Sequence, residues 1–321
     1  MVRTSVSALD RTHRRSLALL GAPSSIGIRP YDDGAIRRLH QAPAALRALD
    51  LAARLGAHDL GDVAPPPYED FVRPPAAARN EAGVASYSRA LAHRVAGALA
   101  DGRFPVLLGG DCSIVLGALL GAREGAGADV GLAYVDGHAD FATPSGSLTG
   151  SVASMCLALA VGHGDSPLAR LSADGPLVHP RDVALIGRRD EAEPASGDDA
   201  LGAMPILDVP AVTVTERGPA EAAAAALERL TRPGLGGFWI HLDADVLDPA
   251  VMPAVDSPDP GGLPLDVIAA LLAPLVRHPG ALGLQLTIYD PGLDPDGACA
   301  ARLATLLESV LATAPLAGAS S

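Results

Sequence analysis

The chain has 321 residues, 49% of them hydrophobic, and a formal net charge of −13 at pH 7. All 24 basic residues are arginine, which excludes a Schiff-base lysine and a nucleotide-binding P-loop lysine. The negative charge argues against nucleic acid or an anionic membrane surface as a partner. The 3 cysteines are widely spaced and odd in number, so they do not indicate a disulfide framework.

Short apolar runs alternate with alanine-rich stretches along the chain. The pattern predicts strands over 16–20, 104–108, 130–135, 183–186, 238–242 and 283–289, and helices over 43–55, 81–101, 114–123, 151–161, 220–230, 265–276 and 299–311. Regular alternation of strand and helix predicts an α/β fold with a mostly parallel central sheet and helices on both faces. We expect one domain over residues 16–321, with residues 191–202 as a loop inside it.

The first fifteen residues carry several arginines but lack the apolar stretch and cleavage site of a signal peptide. We predict a disordered N-terminal tail over residues 1–15. No uninterrupted apolar run reaches the roughly 18 residues of a membrane span. A cytoplasmic protein without a membrane partner is therefore expected.

Three acidic motifs follow three of the predicted strands. They are Gly-Gly-Asp-Cys-Ser at 109–113, Asp-Gly-His-Ala-Asp at 136–140 and Asp-Ala-Asp at 243–245. A strand projects alternate side chains to one face, so the acidic and histidine side chains of each motif can point together. Parallel strands also end at one edge of the sheet, where ligands of α/β folds bind. We therefore expect the three motifs to meet.

Carboxylates gathered in this way repel one another unless a cation holds them. A single Asp at a strand end is usually a turn former or a helix cap, but two clustered motifs with a central histidine favour a metal site. Oxygen ligands with one nitrogen suit Mn²⁺ or a related divalent ion. The sequence thus predicts a metal centre, and the number of carboxylates indicates two ions.

The order of these motifs resembles the arginase–agmatinase (ureohydrolase) family. The resemblance continues through Leu-Asp-Pro at 247–249 and the loop at 257–263, and includes Gly-Ala-Pro at 21–23 and Ile-Gly-Arg-Arg-Asp at 186–190. It implies a single three-layer α/β/α domain that assembles as a homo-trimer or homo-hexamer. It also implies two Mn²⁺ ions with a bridging hydroxide, which attacks the guanidinium carbon of a small guanidino substrate to release urea and an amine.

The resemblance assigns a role to each motif residue. Asp136 and Asp243 would bridge the two ions. Cys112 and Asp140 would complete one site, and Asp140 would also orient the hydroxide. His138 and Asp245 would complete the other site.

Cys112 stands where the family has histidine. A thiolate is a softer ligand that favours Zn²⁺, Fe²⁺ or Co²⁺ over Mn²⁺. The alternative is that Cys112 is only a small buried hydrophobic side chain.

Two further positions concern catalysis. Thr149 corresponds to the histidine that shuttles protons in arginases, and threonine cannot act as an acid near pH 7. His241, two residues before Asp243, faces the same side of its strand. We predict a hydrogen bond between His241 and a metal ligand, with a satisfied core histidine as the alternative. The catalytic candidates are thus Asp140, His241 and Thr149.

The substrate-binding positions also differ from those of arginases. Thr287 lies near the place of the glutamate that binds the guanidinium, and loss of that charged hydrogen bond would cost about 1.5–3 kcal/mol. Ala142 and Ala192 replace an Asn and an Asp that bind the amino-acid end. Glu193 and Ser257 are the remaining candidates for substrate binding. Because the side chains that bind arginine in arginases are replaced, free L-arginine is a poor candidate substrate.

Three functions remain open. The first is an amidinohydrolase for a modified or hydroxylated arginine, a guanidino acid or a guanidino natural product. The second is a mononuclear amide hydrolase resembling the deacetylases that share this fold, although those use a His-His pair and none of the 9 histidines here has a histidine neighbour. The third is a metal-binding protein without catalytic activity.

Overall fold

A computed structural model of the protein describes residues 16–69, 74, 76–190 and 197–311. Within these ranges the chain forms one 8-stranded sheet. The strands are β1 Ser16–Ala22, β2 His58–Asp62, β3 Arg103–Gly109, β4 Gly131–Val135, β5 Val183–Ile186, β6 Leu207–Val209, β7 Phe238–Asp243 and β8 Ala281–Thr287. The sheet order is β2-β1-β3-β8-β7-β4-β5-β6.

Every recorded strand pair in this sheet is parallel. All residues of β4, β5, β7 and β8 are buried, as expected for parallel strands covered on both faces. The α/β prediction is confirmed, and the sheet is more regular than the mostly parallel one expected. All the strands therefore end at one edge.

The helices pack on this sheet and on one another. They are α1 Ala42–Arg47, α2 Leu51–Leu55, α3 Glu81–Ala100, α4 Ile114–Ala126, α5 Cys156–Ala160, α6 Asp198–Gly202, α7 Ala211–Arg217, α8 Pro219–Leu230, α9 Leu265–Arg277 and α10 Ala298–Leu311. None of the described helices combines the length and apolar character needed to cross a membrane.

The structure corrects four details of the predicted elements. Edge strands β2 and β6 were not predicted, because β2 is short and largely exposed and β6 has only 3 residues. The helix expected over 43–55 is divided where Asp50 adopts φ 55°. The helix expected over 151–161 begins as a 3-10 turn and is α-helical only in α5. The loop expected over 191–202 contains α6, while residues 191–196 and the predicted 1–15 tail lie outside the described residues.

Candidate metal centre

A cavity of about 330 Å³ lies at the edge of the sheet where the strands end. Six side chains of the three acidic motifs line it: Cys112, Asp136, His138, Asp140, Asp243 and Asp245. The motifs, which are far apart in sequence, therefore meet in one place.

Strand register explains why the carboxylates meet. Asp136 directly follows β4, and Asp243 is the last residue of the adjacent β7. The two strands pair in parallel with Val135 opposite Leu242, so the next residue of each strand is an aspartate at the same level. Cys112 reaches this level from the turn between β3 and α4.

The donor atoms form two overlapping groups, each with its atoms within 4.8 Å of one another. We call them the inner group, Cys112, Asp136, His241 and Asp243, and the outer group, Asp136, His138 and Asp245. Asp136 belongs to both groups. A carboxylate shared by two adjacent donor sets is the arrangement that a pair of cations needs.

All four side chains of the inner group are buried. Cys112 Sγ lies 2.8 Å from Asp243 Oδ2, which also accepts a 3.0 Å hydrogen bond from Thr287 Oγ1. Burial, with the charge of Asp243, raises the pKa of Asp136 well above its usual range, and burial, with the charge of Asp245, does the same for Asp243. Burial likewise raises the pKa of the Cys112 thiol. Burial thus disfavours the ionised forms of all three groups, and bound metal ions would offset that cost.

The outer group is held by hydrogen bonds from loops. His138 Nδ1 lies 3.0 Å from Asp245 Oδ2, and its Nε2 lies 3.1 Å from Asp259 Oδ2. Burial opposes protonation of His138, but Asp245 outweighs it and raises the His138 pKa to about 11. Burial would raise the pKa of Asp245, yet His138 and Arg189 hold it below its usual range. Arg189 also donates to the carbonyl oxygens of Asp245 and Asp259.

Asp140 lines the cavity but belongs to neither group of close donor atoms among the described residues. Its backbone has φ 48°, and its Oδ2 accepts a 2.5 Å hydrogen bond from the Tyr134 hydroxyl. Burial raises the Asp140 pKa to about 7. The predicted ligand role of Asp140 stays a prediction.

His241, the histidine of the inner group, is completely buried. Its Nε2 is 3.3 Å from Asp136 Oδ2, and its ring stacks on Tyr134 with 4.1 Å between the ring centroids. Burial lowers the His241 pKa to about 3, so the imidazole is neutral. The expected contact with a predicted metal ligand is thus present in the structure.

The predicted substrate-binding residues Ser257, Thr287 and Glu193, and the catalytic candidate Thr149, are placed differently from one another. Thr149 and Ser257 line the cavity, whereas Thr287 is fully buried and binds Asp243. The β8 end presents Ile288 to the cavity instead, with φ 65°, which is a strained backbone conformation for a β-branched residue. Glu193 lies outside the described residues.

Five residues that contribute to the site were not predicted as site residues: Tyr134, Arg29, Arg189, Asp259 and Ile288. Tyr134 could have been found, because it lies two residues before Asp136 and so shares its face of β4. Arg29, Asp259 and Ile288 come from loops or a turn, where no periodic pattern indicates direction.

Known proteins resemble this chain over most of its length. The arginase of Bacillus caldovelox is 32% identical over 250 residues, covering 75% of this chain and 81% of that protein. The native structure of the Bacillus caldovelox arginase superposes with a TM-score of 0.81 at 27% identity, covering 94% of this chain and 99% of that one. The proclavaminate amidino hydrolase of Streptomyces clavuligerus shares the fold, with a TM-score of 0.67 at 21% identity over 94% of this chain and 92% of that one.

These similarities agree with a family-level match that extends over most of the sequence. The family model described as "Arginase family" matches residues 15–312. The match includes all three acidic motifs and the whole described sheet. The chain therefore belongs to the arginase family.

Proposed function

We propose that this protein is a metal-dependent amidinohydrolase that acts on a guanidino compound other than free L-arginine. Water would add to the guanidinium carbon, the bond from that carbon to the alkylated nitrogen would break, and urea and an amine would leave. The observation that carries the proposal is the pair of donor groups sharing Asp136 at the base of an open cavity. Membership of the arginase family gives this arrangement its chemistry.

Two divalent ions would be held by Cys112, Asp136, His138, Asp140, Asp243 and Asp245. The oxygen-rich outer group suits Mn²⁺, while the Cys112 thiolate would shift the inner group toward Zn²⁺, Fe²⁺ or Co²⁺. When bound, such ions supply Lewis-acid polarisation and a water that ionises near neutral pH.

We assign proton handling to Asp140. The Tyr134 hydroxyl occupies its Oδ2, so Oδ1 is the oxygen that would orient the attacking water and take its proton. Thr149 lines the cavity, where its hydroxyl can bind substrate but cannot supply a proton near pH 7. The amine would therefore take its proton from Asp140 after the attack.

The cavity wall argues against free L-arginine. Ile288 places an apolar side chain at the end of β8, and Ala142 offers no polar atom to the amino-acid end of a substrate. The wall also carries Arg29, which is paired at 2.6 Å with the highly exposed Asp32, an ion pair of little energetic value. The anionic group of a guanidino acid, or of a larger guanidino compound, could take the place of the Asp32 carboxylate beside Arg29. Ser257 could bind the same end of that substrate.

Assembly and additional substrate contacts remain part of this proposal. We propose a homo-trimer or homo-hexamer, and a role for Glu193 at the substrate, on the basis of the family resemblance alone. We also propose a single domain over residues 16–321, because strands and helices alternate regularly along the sequence.

The test begins with metal content, measured by mass spectrometry on protein loaded with Mn²⁺, Zn²⁺ or Co²⁺. Loaded protein is then assayed for release of urea from ω-guanidino acids, agmatine and L-arginine, and for release of hydroxyurea from N-hydroxyarginine. We expect close to two ions per chain and turnover of an anionic guanidino compound well above that of L-arginine. Fully loaded protein that releases neither urea nor hydroxyurea from these compounds would favour a metal-binding protein without this activity, and one ion per chain would favour a mononuclear hydrolase.

A further inference from the structure

Directly beneath the metal centre lies a buried row of polar side chains, of which the proposed reaction uses only the Tyr134 hydroxyl. The strand register places Tyr134 of β4 opposite His241 of β7, and His241 opposite Gln285 of β8. Trp239 lies two residues before His241 and therefore shares its face of β7. All four side chains are completely buried, so each polar atom requires a protein partner.

Trp239 determines how the Gln285 amide is oriented. The indole N–H can only donate a hydrogen bond, and it lies 2.9 Å from Gln285 Oε1. The amide oxygen is therefore the atom on the Trp239 side, and the amide nitrogen points the other way. That nitrogen, Nε2, lies 2.8 Å from His241 Nδ1.

Gln285 in turn determines which tautomer His241 adopts. An amide nitrogen only donates, so His241 Nδ1 must accept and cannot carry a proton. This excludes both the imidazolium and the tautomer protonated on Nδ1. The proton must lie on Nε2, which is 3.3 Å from Asp136 Oδ2 and donates to it.

The alternative is that His241 Nε2 is itself a metal ligand, since it lies within 4.8 Å of the other inner-group atoms. Ligation needs a lone pair on Nε2 and thus a proton on Nδ1. The Gln285 amide would then have to turn over and present its N–H groups to the indole N–H of Trp239. Two buried donors facing each other cannot be satisfied, so the row as built disfavours ligation.

We propose that Trp239 and Gln285 fix His241 as an Nε2–H donor that positions Asp136, and that His241 is not a metal ligand. His241, Gln285 and Trp239 are thus positioning residues, acting on the carboxylate shared by the two donor groups. The stack of Tyr134 on the imidazole restricts the ring's rotation. Gly283 leaves room for the indole, because a Cβ at that position would overlap the Trp239 ring. This inference rests on the proposed metal centre but does not depend on the substrate.

Nitrogen NMR of ¹⁵N-histidine-labelled protein, assigned by comparison with His241→Gln, tests the tautomer directly. Zn²⁺ is the probe because it is diamagnetic. We expect His241 Nε2 to be protonated and Nδ1 unprotonated, both in metal-free protein and after Zn²⁺ loading. A metal-bound Nε2 with a protonated Nδ1 in the loaded protein would overturn the proposal. The signal is independent of urea release, so a failed substrate screen leaves this test intact.

Variants provide a second measurement. Trp239→Phe keeps an aromatic ring but removes the donor that orients Gln285, and we expect mixed His241 tautomers and about 10- to 100-fold weaker Zn²⁺ binding. Tyr134→Phe, which keeps the stacked ring, is the matched control and should leave the tautomer unchanged. The glutamine of His241→Gln can still donate a hydrogen bond to Asp136, so this variant should retain the full number of bound ions. His241→Phe removes the donor and should bind the ions more weakly. Loss of one ion in both His241 variants, with their folding verified by circular dichroism, would identify His241 as a ligand.

Discussion

The inner and outer groups of the metal centre differ in what holds their side chains. The inner group is buried, and its two carboxylates lie at the ends of paired strands. The outer group depends on loops: His138 is held by Asp259, whose side chain is 48% exposed, and Arg189 ties the two loop carbonyls together. Sheet register therefore fixes one half, while hydrogen bonds between distant loops fix the other.

The two halves also differ in how they balance charge without metal. In the inner group, burial raises the carboxyl pKa values of Asp136 and Asp243 and so favours their protonated forms. In the outer group, protonated His138 pairs with ionised Asp245. Metal binding must therefore displace protons from both groups. In the inner group they leave carboxyl and thiol groups, and in the outer group they leave the His138 imidazole.

The largest effect is expected from Asp243→Asn, which alters the inner group. The amide keeps the shape of the carboxylate but removes the negative charge that a divalent ion requires. We expect metal affinity to fall more than about 100-fold, which exceeds the usual cost of losing a residue that only hydrogen-bonds to a metal ligand. Urea release should disappear with the metal. Isothermal titration with Mn²⁺ measures the affinity. Asp266→Asn, at an exposed aspartate, is the control, and unchanged metal binding in Asp243→Asn would contradict the ligand assignment.

Cys112→His should change which metal the inner group prefers. Replacing a soft sulfur by an imidazole removes the preference for softer ions, so we expect Mn²⁺ affinity to rise by about tenfold or more relative to Zn²⁺. Competition between the two ions, followed by mass spectrometry, measures the ratio. Cys299→Ser, in α10, changes a cysteine outside both groups and should leave the ratio unaltered. A Cys112→His ratio equal to that of the unmodified protein would mean that Cys112 only packs.

The outer group should respond to Asp259→Ala. Asp259 fixes the orientation of the His138 ring. Its loss should therefore lower the affinity for one of the two ions by about 10- to 100-fold and leave the affinity for the other nearly unchanged. Stepwise metal titration resolves the two events. Equal weakening of both ions would mean that the halves are not separable.

The inner and outer groups also differ in how well the sequence predicts them. Asp136 and Asp243 end neighbouring parallel strands, so alternation and strand direction predict that they meet. Asp259 is 121 residues from His138, and only the path of a loop brings them together. Ile288 is β-branched and therefore indicates extended backbone, yet it adopts φ 65° after β8. Edge strand β2 was missed because its exposed polar residues give no apolar pattern.

Stability of the metal-free protein should fall as the pH rises from about 4 to 7. The Asp140 pKa is about 7 in the folded protein but near 4 in an unfolded chain, so the folded state binds more protons across this window. The raised pKa values of Asp136 and Asp243 act in the same direction. His241, with its pKa lowered to about 3, acts oppositely, because its contribution is lost as the pH falls below about 6.5.

The three carboxyl groups, together with His138 above pH 6.5, outweigh His241, so we expect the melting temperature of chelator-treated protein to drop by at least about 2–4 °C between pH 5 and 8. Calorimetry on chelated and Mn²⁺-loaded samples measures this. Metal ions hold the carboxylates ionised, so the loaded protein should not show the drop. A chelated protein that gains stability across this range would show that the cluster is ionised without metal.

The smallest effect is expected at Thr287, where the inner group meets β8. Thr287→Val keeps the shape but removes the hydroxyl that donates to Asp243, and should lower the free energy of unfolding by about 1 kcal/mol. Thr287→Ser retains the donor and serves as the control. If Thr287 acts only on Asp243, the valine variant will bind metal more weakly with KM unchanged at saturating metal. A raised KM at saturating metal would instead place Thr287 at the substrate, and the inner group would then extend into the substrate pocket.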